Sequence, residues 1–344
     1  MIEDITFRDR KPCFIIAEAG VNHNGDINIA KKLVDAAVEA GVDAVKFQTF
    51  KVENLVTKKA PKADYQKETT GTGNQYEMLK KLELSYEDHI ILKKYCEEKG
   101  ILFISTPFDF ESVDLLEKLN IPLYKISSGD LTNIPLLKYI AKLNKPMIVS
   151  TGMANLGEVE VAIEAINETG NNKISLLHCT SNYPTNYKDV NLNAMNTLKN
   201  AFKLPVGYSD HTVGIEVPIA AVTMGACIVE KHFTLDKSME GPDHKASLNP
   251  EELRKMLLGI RNIEEAFGDG IKKCNSNEES SKKVARKSIV ARVNIEKGQT
   301  ISYENITFKR PANGISPIFI DDLIGKKAIC DIYMEDPITF NNIK

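Results

Sequence analysis

Apolar and polar positions alternate in two different periods along the first 268 residues. Short apolar runs, typical of buried β-strands, are followed by longer segments whose apolar residues recur at helical spacing. The segment Ile27–Ala40 is of the second kind, and Asp26 and Gly41 are suited to begin and end it as a helix. Ser85 and Asp88 give a second helix-start signal, which resembles a capping box. The pattern therefore predicts strands and helices in regular alternation.

The alternation yields eight predicted strands with helices between them. The strands are predicted over Cys13–Ala17, Asp43–Phe50, Ile101–Pro107, Pro122–Gly129, Pro146–Met153, Ile174–Tyr183, Pro205–Thr212 and Ala226–Thr234. The helices are predicted over Ile27–Ala40, Tyr86–Lys99, Glu111–Leu119, Leu131–Leu143, Glu158–Glu168 and Ile215–Met224. Eight such units across roughly 250 residues predict a parallel sheet closed into a (β/α)₈ TIM barrel. An open doubly wound sheet is disfavoured, because no GxGxxG motif follows the first strand.

The chain changes character after Gly268. Residues 269–287 are polar and rich in Lys, Glu and Ser, as in a linker. From Ser288 onward, short β-type runs and turn signals replace the helical periodicity. We therefore predict a barrel domain over 1–268, a linker over 269–287 and a small β-rich domain over 288–344. A module of about 60 residues is near the lower limit for independent stability, so it would gain from packing against another surface.

Composition narrows the class of protein. A hydrophobic content of 42% against 26% charged residues is ordinary for a soluble globular protein, and the net charge of −3 gives no reason to expect nucleic acid or an anionic membrane as partner. The segment 1–11 is charged throughout and lacks the apolar core of a signal peptide. The apolar run 217–229 is too short to span a membrane. Six cysteines without CxxC pairing indicate free thiols, so we expect a cytoplasmic protein.

Polar side chains stand late in every predicted strand, where a barrel of this type carries its chemistry. Such groups are unfavourable to bury without partners, so their concentration there predicts an active site. They are Glu18, Asn22, His23, Lys46, Gln48, Ser105, Thr106, Lys125, Ser127, Ser128, Asp130, Ser150, Thr151, His178, Thr180, Ser181, Tyr183, Ser209, Asp210, His211, Glu230, Lys231 and His232.

The residue types in this set indicate the kind of ligand. Two lysines with several hydroxyls and glycines suit a small polyanion such as a phosphorylated carboxylate. A serine or threonine taken singly is more often a turn residue at a strand end. For Lys46 and Lys125 the alternative is a surface lysine, which is disfavoured because an inward position in a barrel has no water to reach.

His211 and His232 end neighbouring strands, so their rings can converge on one metal ion. Two imidazoles with waters and substrate oxygens suit Mn²⁺ better than a structural zinc site. Two hydrogen-bonded core histidines are the alternative, and only the surrounding polar set argues against it. We predict that His89 lies at the surface of a helix. For His23, His178 and His244, a role in the site and a structural role both stay open.

A series of motifs in the same order resembles the sialic acid synthase family, the phosphoenolpyruvate (PEP)-dependent nonulosonate synthases. The resemblance covers nearly the whole chain, and taken together its motifs are highly specific. The motifs are IIAEAGVNHNG (15–25), VKFQT (45–49), STPF (105–108), YKISSG (124–129), STGM (150–153), LHCT (177–180), YPT (183–185), GYSDHT (207–212), EKHFT (230–234), GPDH (241–244), ARKS (285–288) and KRPANG (309–314).

The resemblance implies an antifreeze-like (SAF) fold for the C-terminal domain and a homodimer in which that domain caps the partner's barrel. It implies that His211 and His232 bind Mn²⁺, with Mg²⁺ or Co²⁺ as alternatives, and that either Glu18 or Glu230 moves a proton. The implied PEP-binding residues are Lys46, Thr106, Lys125, Ser128, Ser150 and Ser209. The implied sugar-binding residues are Gln48, Ser181, Tyr183, Asp243 and, from the other subunit, Arg310.

The acceptor sugar is the open point of the resemblance. The first prediction is N-acetylneuraminate synthase, which joins PEP to N-acetylmannosamine. Some members have Asn where this chain has Ser181, so the alternative is N,N'-diacetyllegionaminate synthase, acting on 2,4-diacetamido-2,4,6-trideoxymannose. Two further alternatives are a Schiff-base aldolase that uses Lys125 or Lys46 as nucleophile, and a non-catalytic sugar- or ice-binding protein.

Overall fold

The computed structural model describes residues 12–344, so the predicted charged segment 1–11 lies outside the described residues. The chain divides into two compact units, one ending at Phe267 and the other beginning at Gly268. Each unit has a hydrophobic core of its own. The exact limits of the predicted linker stay a prediction, although a helix lies inside its range.

Eight parallel strands form the centre of the first unit. They are β1 (Phe14–Gly20), β2 (Ala44–Thr49), β3 (Leu102–Pro107), β4 (Tyr124–Ile126), β5 (Met147–Ser150), β6 (Ile174–Cys179), β7 (Val206–Asp210) and β8 (Ile228–His232). Hydrogen-bonded neighbours follow the order β3–β2–β1–β8–β7–β6–β5–β4. The two end strands, β3 and β4, contact each other, which closes the sheet. The predicted (β/α)₈ barrel is confirmed.

Helices connect the strands of the barrel. They are α1 (Ile27–Ala40), α2 (Val52–Leu55), α3 (Asp64–Thr70), α4 (Gln75–Lys80), α5 (Tyr86–Lys99), α6 (Phe110–Lys118), α7 (Ile134–Ala141), α8 (Leu156–Asn167), α9 (Asn193–Phe202), α10 (Glu216–Thr223) and α11 (Pro250–Ala266). Local caps fix the ends of α1: the Asp26 side chain accepts from the Asn28 N–H, and Gly41 adopts φ 83°. Among residues 12–344, no helix is both long and apolar enough to cross a membrane.

The prediction that His89 lies at the surface is wrong. His89 is buried on the side of α5 that faces the sheet. Its Nδ1 donates to the Ser85 carbonyl (2.7 Å), and its Nε2 lies 2.9 Å from Thr49 Oγ1. Helix α5 therefore buries a polar contact where the residue pattern indicated an exposed position.

The barrel interior has an apolar layer below and a polar layer above. Along β1, Phe14 and Ile16 belong to the inner apolar cluster, and Glu18 follows them on the same face. This inner cluster fills the amino-terminal end of the barrel and thereby confines polar groups to the carboxyl end. Its members are Phe14, Ile16, Ala44, Ile104, Leu123, Ile148, Leu177, Cys227 and Ile228.

The second unit is small and rich in isoleucine. It contains α12 (Glu279–Ala285), an antiparallel pair of strands, β9 (Ser288–Ala291) and β10 (Ile306–Lys309), and the short helix α13 (Ile320–Leu323). Isolated backbone bridges such as Ile295–Ile332 extend the β-type pairing. Its core consists of Ile289, Ala291, Ile295, Ile301, Ile306, Ile315, Leu323, Ala328, Ile332, Ile338 and Ile343. The predicted β-rich character is confirmed.

Candidate active site

The carboxyl ends of the eight strands surround a cavity of about 470 Å³, a size that suits a small ligand. Every barrel residue to which the resemblance assigns a role lines it, whereas other strand-end residues such as Asn22 and Lys231 do not. These residues are Glu18, Lys46, Gln48, Thr106, Lys125, Ser128, Ser150, Ser181, Tyr183, Ser209, His211, Glu230, His232 and Asp243. Arg310 belongs to the second unit, where it is exposed just after β10. The structure therefore brings together the barrel residues to which the resemblance assigns a role.

Four charged side chains of alternating sign form the floor of this cavity. Lys46 Nζ lies 2.7 Å from Glu18 Oε2 and 3.8 Å from Glu230 Oε1. Lys125 Nζ lies 3.5 Å from the same Glu230 oxygen. All four groups are buried, so each charge depends on its neighbours for stabilisation.

The floor sets the pKa values of its two carboxyl groups in opposite directions. Burial raises the pKa of Glu18, and Lys46 offsets only part of this increase. The negative charge of Glu230 raises the pKa further. Burial acts the same way on Glu230, but Lys125 and Lys46 outweigh it and hold the pKa of Glu230 below its usual value. Two carboxyl groups with divergent pKa values in one site are typical of a division between proton transfer and charge stabilisation.

Hydroxyl groups complete the coordination of the two lysines. Lys46 Nζ donates to Thr106 Oγ1 (3.2 Å), and Lys125 Nζ donates to Ser150 Oγ (2.7 Å). Ser209 Oγ donates to Glu230 Oε1 (3.2 Å). Two ammonium groups with hydroxyl donors beside them form an anion-binding surface.

Gly152 makes room for this surface. Its N–H donates to Ser128 Oγ (3.0 Å). A Cβ at this position would lie 2.3 Å from Ser181 Oγ and 2.7 Å from Ser128 Oγ, so any larger residue would displace two serines of the cavity wall.

The two predicted metal-binding histidines lie side by side, with ring centroids 5.4 Å apart. His211 Nδ1 donates to the Thr180 carbonyl (2.8 Å), so the neutral form of the ring has its lone pair on Nε2. Although burial lowers the pKa of His211, the contacts with Cys179 and the Thr180 carbonyl raise it above its usual value, so the ring would lose a proton on binding a metal ion. His232 Nδ1 is buried without a hydrogen-bond partner and lies 4.0 Å from Asp243 Oδ2. Burial, together with the charges of His211 and Lys46, holds the pKa of His232 well below its usual value, so this ring is neutral.

These observations fit a divalent metal ion with two imidazole ligands. Neutral imidazole is a good ligand for Mn²⁺, Co²⁺ and related ions. Among residues 12–344, no group of three or more His, Cys, Asp or Glu side chains is arranged to hold a metal ion. Two imidazole ligands would leave positions of such an ion open for water and substrate oxygens.

A segment that the sequence prediction missed covers one side of the cavity. We call residues 51–80, which contain α2, α3 and α4, the β2 insertion. It places Tyr65 against Tyr183, with ring centroids 5.3 Å apart and planes inclined at 29°. Tyr183 in turn lies 4.1 Å from the His211 ring. Strand-to-helix loops usually have about 2–6 residues, so the length of this connection was the signal for an active-site element.

The β2 insertion also brings an apolar wall to the cavity. Met78 and Leu79 of α4 line the cavity, together with Val21 and Phe108 from the barrel. Leu79 and Phe108 pack on a small apolar cluster that includes Val21, and Met78 Sδ accepts from Thr70 Oγ1 (3.5 Å). These four side chains present carbon and sulfur to the cavity, whereas Gln66 and Gln75 of the same insertion add amide groups to its lining.

The remaining histidines have structural contacts. His244 Nδ1 lies 2.6 Å from Thr234 Oγ1, and His178 Nε2 donates to the Val190 carbonyl (2.8 Å). His23 Nδ1 accepts from the Gly25 N–H (3.0 Å). None of these three side chains lines the cavity, and His23 Nε2 is buried without a hydrogen-bond partner.

A barrel with a buried charged floor, a histidine pair and a separate β-rich unit defines a class of (β/α)₈ enzyme. Comparison with known proteins identifies the family within this class. The NeuB family model matches residues 33–272, and the SAF domain model matches residues 286–344. This chain therefore belongs to the NeuB family. It is a nonulosonate synthase, a transferase that forms a carbon–carbon bond, which confirms the predicted resemblance.

Individual relatives differ in the acid that their names specify. The N,N'-diacetyllegionaminic acid synthase of Campylobacter jejuni is 53% identical over 95% of this chain and 99% of its own length. The enzyme of the same name from Legionella pneumophila is 52% identical over 92% and 90%. The crystal structure of an N-acetylneuraminic acid synthetase from Leptospira borgpetersenii is 36% identical, with a TM-score of 0.69 over 79% of this chain and 90% of that chain. These matches support neither the Schiff-base aldolase nor the non-catalytic binding protein.

Proposed function

We propose that this chain is an N,N'-diacetyllegionaminate synthase, which condenses PEP with 2,4-diacetamido-2,4,6-trideoxymannose and water and releases phosphate. The observation that carries this proposal is the 53% identity to an enzyme of that name across almost the full length of both chains. N-Acetylneuraminate synthase, the first prediction from the sequence, is the second candidate. It has weaker support, because the neuraminate enzymes among the relatives are about 36% identical.

The apolar wall of the cavity supports the same choice of acceptor. The proposed acceptor has a methyl group at C6 where N-acetylmannosamine has a hydroxymethyl group. A methyl group against Met78, Leu79 and Phe108 is favourable, whereas a hydroxyl that packs against these three side chains and does not reach the amides of Gln66 or Gln75 would lose its water without gaining a partner. Such an unsatisfied hydroxyl costs about 1–3 kcal/mol.

PEP would occupy the anion-binding surface of the floor. Lys46 and Lys125 would bind its phosphate and carboxylate, and the hydroxyls of Thr106, Ser150 and Ser209 would orient them. Ser128, held by the Gly152 N–H, would contribute from the facing loop. This arrangement puts positive charge where phosphate leaves, which favours cleavage of the C–O bond.

His211 and His232 would hold the metal ion, with Mn²⁺ proposed and Mg²⁺ or Co²⁺ as alternatives. When bound, such an ion polarises the aldehyde oxygen of the acceptor and orients water. Tyr183, Gln48, Ser181 and Asp243 line the cavity around this position and would contact the sugar. PEP C3 would then attack the aldehyde carbon, and water would add at C2 before phosphate departs.

Glu18 would be the general acid–base residue of the reaction. The sequence alone left this role open between Glu18 and Glu230. The raised pKa of Glu18 suits a group that both accepts and donates a proton near neutral pH. Glu230 would stay ionised, because Lys125 and Lys46 lower its pKa, and it would keep the two lysines in place.

The resemblance also supports a cytoplasmic homodimer in which the SAF domain caps the partner's barrel. In such a dimer Arg310 of one chain would contact the N-acetyl group bound by the other. The small size of the second unit agrees with a need for an external packing surface.

Identification of the product tests the proposed function. Enzyme, PEP, Mn²⁺ and 2,4-diacetamido-2,4,6-trideoxymannose should give N,N'-diacetyllegionaminate by NMR and mass spectrometry, with one phosphate released per product. EDTA and the His211→Ala variant should both abolish the reaction. Borohydride should trap no adduct, because the reaction does not pass through an imine at Lys46 or Lys125. Absence of this product from folded enzyme that has bound Mn²⁺ would contradict the proposal.

A further inference from the structure

A buried ion pair lies next to the two histidines, on the opposite face of the sheet. Asp210 and Lys231 are register partners on β7 and β8, and each directly precedes one histidine. Ser209, His211, Glu230 and His232 line the cavity, so the alternation of side chains turns Asp210 and Lys231 away from it. Both side chains have an exposed fraction of 0%.

The pair binds the backbone on either side of His211. Lys231 Nζ donates to Asp210 Oδ2 and to the Thr212 carbonyl. Asp210 Oδ1 accepts from the Thr212 N–H (3.1 Å), and Asp210 Oδ2 accepts from Thr212 Oγ1 (2.9 Å). Asp210 and Thr212, the two neighbours of His211 in the chain, therefore both bind Lys231. Lys231 in turn directly precedes His232. One set of contacts fixes the backbone that carries both rings.

Net stability is a weak explanation for such a pair. Removing two charges from water is unfavourable, and apolar residues of similar volume often stabilise a fold as well as a buried ion pair does. The pair instead fixes the position of the β7 end relative to the β8 end. Side chains that orient metal ligands typically change metal affinity by about 10- to 100-fold when they are replaced.

We propose that Asp210 and Lys231 are a positioning pair that sets the relative orientation of His211 and His232 and thereby the metal affinity of the site. This inference rests on the proposed histidine metal site. Neither residue touches substrate or metal; both act through the strand ends that carry the ligands.

The test compares Mn²⁺ binding in metal-free proteins by electron paramagnetic resonance and calorimetry. The Asp210→Leu/Lys231→Met double variant removes both charges together and should fold, because it leaves no unpaired buried charge. Its Mn²⁺ affinity should fall about 10- to 100-fold. The control variant Glu117→Leu/Lys145→Met removes a partly exposed ion pair, of 2.7 Å, between α6 and the loop before β5, and should bind Mn²⁺ as the wild type does.

The outcomes separate this inference from the metal site itself. Wild-type affinity in the folded double variant, with no binding by His211→Ala, would overturn the positioning role alone. Absence of Mn²⁺ binding by the wild-type protein would overturn the metal site and this inference with it. If the double variant does not fold, Thr212→Val removes one hydrogen bond to Asp210 and should weaken Mn²⁺ binding about 2- to 10-fold. Unchanged affinity in that variant would overturn the proposal.

Discussion

Lys46 and Glu18 form a buried ion pair of 2.7 Å between register partners on neighbouring strands. An anion that enters the cavity meets an ammonium group already held in place by a carboxylate and by Thr106. The site is therefore preorganised for a charged ligand, and binding requires little rearrangement of the lysine.

Replacement of Lys46 tests its role in PEP binding. Lys46→Met should reduce kcat/KM for PEP by about 10- to 150-fold, which corresponds to the loss of one charge-assisted hydrogen bond. Phosphate release at several PEP concentrations measures this effect. Lys51→Met is the matched control, because Lys51 pairs with Glu83 at 3.0 Å and does not line the cavity. An unchanged kcat/KM in Lys46→Met would contradict the assignment of this residue to PEP.

Met78 provides a test of the apolar wall. Met78→Gln places an amide where the proposed C6 methyl group would lie, so the preference for the 6-deoxy acceptor over N-acetylmannosamine should fall about tenfold. Met153→Gln alters another methionine of the cavity lining, but one that is exposed. The ratio of kcat/KM for the two acceptors should stay at the wild-type value in that control. An equal ratio of kcat/KM for the two acceptors in all three proteins would contradict a role of Met78 in acceptor recognition.

The pKa of His23 predicts how acid affects stability. Burial lowers the pKa of His23 from 6.5 to about 4, so between these values the unfolded chain binds a proton that the folded chain does not. The stability contributed by neutral His23 is present above pH 6.5 and is lost as the pH falls towards 4, by about 1.4 kcal/mol per pH unit. Denaturant unfolding of wild type and His23→Asn from pH 7.5 to 4.5 isolates this contribution.

Asn at position 23 can still accept from the Gly25 N–H, but it does not titrate. Relative to His23→Asn, the free energy of unfolding of the wild type should therefore decrease as the pH decreases. Parallel curves across this range would contradict a buried neutral His23.

The proposed dimer predicts complementation between inactive variants. Arg310→Ala and His211→Ala should each be inactive, because each removes a different part of the site. Mixing them under conditions that allow subunit exchange should restore about a quarter of the wild-type activity, since half of the dimers are mixed and each has one complete site. Arg292→Ala, another arginine of the second unit, should be fully active alone. No recovery in a mixture shown to contain mixed dimers would contradict a shared site.

The sequence predicted those features that local residues or strand order determine. Helices α1 and α5 begin and end at the predicted residues, because Asp26, Gly41, Ser85 and Gly100 cap them through contacts within a few positions. The cavity residues were predictable because parallel strands bring their carboxyl ends together in a barrel.

Features that depend on distant contacts were not predictable in this way. Tyr65 reaches the site only because the β2 insertion folds over Tyr183, and no periodic pattern marks that insertion. His89 is buried through hydrogen bonds to Thr49 and Ser85 and not through an apolar face, so hydrophobic periodicity gave the wrong position. The opposite pKa shifts of Glu18 and Glu230 likewise depend on distant contacts, because burial dominates at Glu18 whereas Lys125 and Lys46 together outweigh burial at Glu230.

The most direct test of the proposed function is the ratio of kcat/KM for two acceptors, measured by phosphate release from PEP in the presence of Mn²⁺. The acceptors are 2,4-diacetamido-2,4,6-trideoxymannose and N-acetylmannosamine, offered separately to the same enzyme preparation. We predict that the diacetamido sugar is preferred by at least about tenfold, the discrimination expected from the apolar wall. A higher kcat/KM with N-acetylmannosamine would contradict the legionaminate assignment and identify the enzyme as an N-acetylneuraminate synthase.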